Sequence, residues 1–174
     1  MLHTIDGLPN TINGLPTHPL LAHVVVVFVP LTALLAVFVV VWPAARRRLG
    51  GASLFVAAAT LVTIPLTTRS GAWLERHVMM GGEVLRRHAA LGGQLVFWFA
   101  LLTTAMVFWW ALHSPLFAGE VATLSPAVRR LAIALVGAGT LLFAVVSAWS
   151  IVLVGDTGAQ SVWGGPTCGK MMGM

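Results

Sequence analysis

Four stretches of this chain contain no Asp, Glu, Lys or Arg and are long enough to cross a lipid bilayer: residues 19–41, 49–68, 89–112 and 131–155. A helix rises about 1.5 Å per residue and the hydrocarbon layer is about 30 Å thick, so some 20 apolar residues suffice. Inside hydrocarbon every backbone N–H and C=O must be paired within the protein, and a single apolar run achieves this only as a helix. The expected fold is therefore all-α: an integral membrane bundle of four antiparallel transmembrane helices, one domain over residues 1–174, with a tail from 156 to 174. Charged residues make up 9% of the chain, against about 25% in ordinary soluble domains. The formal charge of +5 reports topology in such a protein and gives no ground for a nucleic-acid partner; the partner implied is the lipid bilayer. One cysteine, Cys168, excludes an internal disulfide.

Four spans put both termini on one side, together with the loop between spans two and three. That side carries Arg69, Arg76, Arg86, Arg87 and Lys170; the other carries Arg46, Arg47, Arg48, Arg129 and Arg130. The basic counts tie. The short, dense "ARRRLG" connection and the absence of any Lys or Arg from the first 45 residues break the tie. They put the Arg46 side in the cytoplasm and both termini outside the inner (plasma) membrane of a multi-pass protein. The missing positive n-region also argues against a signal peptide. "ARRRLG" reads as a tight turn, "AWLERHV" as a short interfacial helix and Ser125-Pro126 as a helix start. "GLP" recurs at Gly7 and Gly14 as turns, and no longer repeat is visible.

The polar residues gather at one end. Pro19 suits the first helical position of span one, which puts His23 about one turn, roughly 7 Å, inside it. His88 opens span three from the same side, at similar depth, and Gly92 leaves room on its face. Ionisable groups at membrane depth face the bundle and mark function. His23 and His88 are therefore expected to meet across the bundle, either as a hydrogen-bonded structural pair or around a cofactor. His18 alone reads as an interfacial residue, Arg69 and Asp156 as an ion pair at the bundle end. "FWFALLTTAMVFWW" reads as lipid-facing surface with an interfacial belt at Trp109 and Trp110. A second set of donors lies on the same side: His77, Met79, Met80, Cys168, Met171, Met172 and Met174. Thiolate, thioether and imidazole suit Cu(I), although the spacing matches no metal motif.

"GLPTHPLLAH", "IPLTTRSGAWLERHV", "RRHAALGGQL" and "VLVGDTGAQSVWG" together resemble the bacterial membrane-protein family called domain of unknown function 2231, in its actinobacterial branch. The resemblance spans nearly the whole chain. It implies a redox setting, because such domains occur joined to or beside Rieske-type iron–sulfur domains. In one place the chain departs from that pattern: a histidine is expected where Asp156 stands.

The resulting expectation is a small redox-associated membrane subunit that binds b-type haem between His23 and His88, with His18 and Arg69 as neighbouring or propionate partners. Respiratory or Rieske-type redox proteins are its expected partners. The alternative is a non-catalytic accessory or assembly protein whose histidines hydrogen-bond between helices. A transporter is the weaker third reading, since the spans carry no carboxylate.

The topology is checked by cysteine labelling in a Cys168→Ser background. Ile12→Cys should react with a membrane-impermeant maleimide in intact cells, and Arg47→Cys only after lysis. The opposite pattern inverts the orientation and leaves the span count standing.

Overall fold

The computed structural model describes residues 4–5, 8–9, 11–78 and 82–163. Two short antiparallel hairpins precede the bundle: β1 (Thr4–Ile5) with β2 (Leu8–Pro9), and β3 (Thr11–Ile12) with β4 (Leu15–Pro16). Asn13 and Gly14 join the second pair with φ of 52° and 80°. Two successive left-handed residues are what a two-residue hairpin turn of the mirror-image type requires, and Asn-Gly is its preferred pair.

Four long helices follow: α1 (Thr17–Val41), α2 (Pro43–Val78), α3 (Glu83–His113) and, after a 3-10 turn (Pro115–Phe117) and the short α4 (Ala118–Ala122), α5 (Pro126–Trp163). Each of the four is long and apolar enough to cross a membrane. This is the all-α membrane bundle expected, but the helix ends differ from the sequence reading. Helix α1 begins at Thr17, so Pro19 is its third residue, where its missing N–H is still harmless. Only Trp42 separates α1 from α2, and Arg46–Arg48 lie in the first turns of α2 instead of in a turn. "AWLERHV" continues α2, and α5 runs on to Trp163. Charge ends a hydrophobic run without ending a helix, because beyond the hydrocarbon a helix is solvated like any other. Helix α5 does begin at Ser125-Pro126, with Ser125 Oγ accepting from Val128 N at 3.4 Å.

Helices α1 and α3 each pack against both α2 and α5, and stand diagonally from each other. The core stripes of the two diagonal helices match at a constant offset. Val25, Val29, Thr32, Ala36 and Val39 are buried on α1; Leu95, Phe99, Leu102, Met106 and Trp109 are buried on α3. The other diagonal matches too. Gly50, Ser53, Ala57, Thr60 and Ile64 on α2 answer to Gly137, Thr140, Ala144, Ser147 and Ile151 on α5, all buried. The hairpins α1–α2 and α3–α5 are thus two copies of one arrangement about an axis along the bundle. This repeat corrects the sequence reading, which saw none beyond a tripeptide. The α2 and α5 residues keep size and polarity between the copies, whereas along the other diagonal Thr32 answers to Leu102, Ala36 to Met106 and Val39 to Trp109.

A twofold axis brings equivalent positions face to face, and two such pairs meet across the α1/α3 diagonal. At the Arg46 end they are Val39 and Trp109: the indole Nε1 donates to Val39 O at 3.1 Å. Trp109 is therefore 5% exposed and belongs to the core, not to a lipid-facing belt. It fits because Gly137 has no side chain. A Cβ there would stand 2.8 Å from Trp109 Cζ3.

Gly137→Val should accordingly displace the indole and break its hydrogen bond. The expected loss is about 2–4 kcal/mol, from overpacking plus the lost bond. It is read as a lowered unfolding midpoint in detergent. Gly51→Ala, with nothing within 4 Å of the added methyl, should show no loss. Equal midpoints for the two variants would refute this packing.

Candidate functional site

At the other end of the diagonal the equivalent residues are His18 and His88. His18 is the second residue of α1, and its Nδ1 lies 2.9 Å from Thr67 O on α2. His88 is in the second turn of α3, and its Nδ1 lies 3.0 Å from Val154 O on α5. A carbonyl oxygen can only accept, so in each ring Nδ1 carries a proton and donates it, and Nε2 is the nitrogen left outside this bond. Both rings are thus held through the same nitrogen.

The acceptors sit within helices, where a carbonyl already serves its own ladder but keeps a second lone pair. Local hydroxyls crowd the same oxygens: Ser70 Oγ donates to Thr67 O at 2.8 Å and Thr157 Oγ1 to Val154 O at 3.2 Å. An imidazole reaches a helix backbone this closely only where no side chain intervenes. Gly71 and Gly158 provide that opening. A Cβ on Gly71 would stand 2.9 Å from His18 Cε1, and one on Gly158 would stand 3.0 Å from His88 Cε1.

The two half-buried rings are 6.3 Å apart between centroids, with planes at 85°. They line a cavity of about 370 Å³. Its lining mixes small residues (Gly71, Ala72, Ala89, Gly92) with Leu74, Leu85 and Val162, and Glu75 is the carboxylate on it. The cavity sits where the apolar runs end, and the extensions of α2 and α5 beyond those runs form part of it.

The structure corrects the expected site at several residues. His23 does not meet His88. It is exposed, its Nδ1 lies 2.6 Å from Pro19 O of its own helix, and it does not line the cavity. Five residues turn a helix through about 140°, so His18 and His23 cannot share a face. Arg69 is exposed and also lies outside the lining. Asp156 is exposed, with its carboxylate accepting from Gln160 Nε2 at 2.9 Å. His88 and Gly92 stand where expected, on one face of α3 beside the cavity.

Of the copper donors, His77 is exposed, stacked on Trp73 at 4.0 Å and bonded through Nδ1 to Trp73 O at 2.9 Å. Met79, Met80, Cys168, Met171, Met172 and Met174 lie outside the described residues. Among the described residues no group of three or more His, Cys, Asp and Glu side chains is placed to hold a metal ion.

Sequence reasoning missed Gly71 and Gly158, and the two carbonyls behind them. Their signal was present: "RSGA" ends span two and "DTGA" ends span four, in equivalent positions. No family model, no curated protein and no solved structure matches this chain.

Proposed function

We propose that this protein is a small electron-transfer subunit of the membrane that holds a b-type haem between His18 and His88. The observation that carries the reading is the pair of imidazoles, each fixed through Nδ1 to a helix carbonyl. A histidine that ligates a metal through Nε2 commonly donates Nδ1–H to such an acceptor, which sets the tautomer and raises the basicity of the ligating nitrogen. Both rings here are prepared in that way, from opposite sides of one axis.

The spacing supports the same assignment. A metal–imidazole bond is about 2.0–2.1 Å, and a ring centre lies about 1.1 Å behind its nitrogen. Two rings whose Nε2 atoms both pointed at one metal would have centroids no more than about 6.2–6.4 Å apart, and those of His18 and His88, 6.3 Å apart and edge to face, lie within that reach. The donor set points to haem over a bare ion. Structural zinc takes four protein ligands and catalytic zinc three, whereas haem iron takes its equatorial four from the macrocycle and needs the protein only for its axial positions. Gly71 and Gly158 leave room for the rings against the helix backbones.

When bound, haem supplies one-electron chemistry at its iron. His18 and His88 would hold it. Thr67 O and Val154 O hold those rings in register, and Ser70 and Thr157 share these acceptors. The apolar core below the site excludes water. The site's place at the bundle end suits exchange with a respiratory or Rieske-type partner on that side.

One observation favours the alternative of an accessory protein with structural histidines. Each imidazole already makes an interhelical bond, tying α1 to α2 and α3 to α5, and needs no ligand to do so. The absorption spectrum of protein purified from haem-sufficient cells decides between the two readings. The haem reading expects the Soret and α bands of a six-coordinate bis-imidazole centre on dithionite reduction. His18→Ala and His88→Ala should each abolish them, and His23→Ala should leave them intact. A featureless spectrum of the intact protein would leave the structural role standing, as would loss of the bands with His23→Ala alone.

A further inference from the structure

The Arg46 end of the bundle has a separate cavity, of about 570 Å³. It lies between the end of α1, the first turns of α2 and the last turn of α3. Arg46, Arg47, Trp109, Trp110 and His113 line it. The half-buried Arg46 is held from two sides. Its Nη1 is 3.2 Å from His113 Nε2, and its Cζ is 5.4 Å from the centre of the Trp109 ring. His113 Nδ1 lies 2.8 Å from Trp109 O, so Nδ1 donates there and Nε2 accepts from the guanidinium.

Both of those partners are neutral. They position the Arg46 cation without cancelling its charge, and no described carboxylate forms an ion pair with Arg46 or Arg47. The acid that the sequence places at this end, Glu120, is exposed. A half-buried guanidinium over an indole, beside a second arginine, is an arrangement that favours an oxyanion. Gly51, on the cavity wall, leaves open space, with nothing within 4 Å of where its Cβ would be.

The depth and the remaining walls identify the kind of anion. Arg46 lies a short distance beyond the last apolar residues of α1, where a span of that length would reach the headgroups. Val39, Met106 and Trp110 supply apolar wall to the same cavity. An anion carrying a hydrocarbon body uses both surfaces, and a free anion uses only one. Basic pockets between transmembrane helices are suited to anionic lipid headgroups. We propose that this cavity binds the phosphodiester headgroup of an anionic phospholipid, with Arg46 and Arg47 on the phosphate and the apolar wall against the start of the acyl chains.

The test is lipid titration of the full chain in detergent, read by native mass spectrometry with phosphatidylglycerol and phosphatidylcholine as probes. Phosphatidylglycerol should bind the tighter. Arg46→Gln and Arg47→Gln should each weaken it about fivefold, the equivalent of about 1 kcal/mol per basic residue. Arg46→Lys should retain part of the effect. Arg130→Gln should change nothing, since Arg130 is exposed outside the cavity with its Nε on Pro126 O at 3.2 Å. Circular dichroism of each variant establishes that it is folded. Equal binding of the two lipids would overturn the proposal, as would unchanged binding by folded Arg46→Gln. Displacement of the lipid by inorganic phosphate at matched concentration would also overturn it, in favour of a free-anion site.

Discussion

The bond from an imidazole Nδ1–H to a helix carbonyl is the interaction on which the rest of this molecule's chemistry depends. It occurs twice, from His18 to Thr67 O and from His88 to Val154 O. It fixes the orientation of both rings at the end of the bundle. It also settles which nitrogen remains free, and so what the pair can offer. The bond in turn depends on an absence, the missing side chain at Gly71 and at Gly158. Without those two notches the ring and the backbone could not approach within hydrogen-bond distance.

The twofold relation between the hairpins explains why the site lies where it does. Positions on an axis meet their own equivalents. Where both copies keep a histidine, the axis passes between two like rings and a cavity remains beside them. Where the copies have diverged to Val39 and Trp109, the large residue fills the room left by the small one, and the axis is closed. One end of the bundle is thereby open about its centre and the other is plugged. The second cavity, beside Arg46, forms off the axis, around the indole that closes it.

Much of the fold was legible in the sequence, because length without charge is nearly sufficient to define a membrane helix. The helix ends were not legible, since hydropathy reports where lipid ends and not where hydrogen bonding does. The site was half legible. His88 was found, but His23 was preferred to His18 because it was placed at a depth similar to that of His88. Depth was the wrong criterion. The buried stripe of α1 runs through Val39, Ala36, Thr32, Val29 and Val25, and two further turns back along that stripe lies His18. The same count from Leu95 on α3 arrives at His88. The stripe in a span buried on one side only is hard to see when every residue is apolar, so the helical period that marks a soluble helix's inner face gave no guidance here.

The departure at Asp156 also takes a different meaning once the side chains are placed. A histidine was expected there by resemblance, and its loss bears on the site only if that position faces the rings. Asp156 is exposed and bonded to Gln160, while its neighbour Thr157 is the buried residue whose hydroxyl lies 3.4 Å from His88 Nδ1. The equivalent position in the first hairpin is Arg69, which is also exposed and of opposite charge. The next two residues, Ser70 and Gly71 in one copy and Thr157 and Gly158 in the other, keep their chemistry. The two copies therefore agree at the residues that seat each imidazole and differ one position away, where the helix turns outward. A change at residue 156 can alter the charge presented around this end of the bundle while leaving the two rings, and whatever they hold, in place.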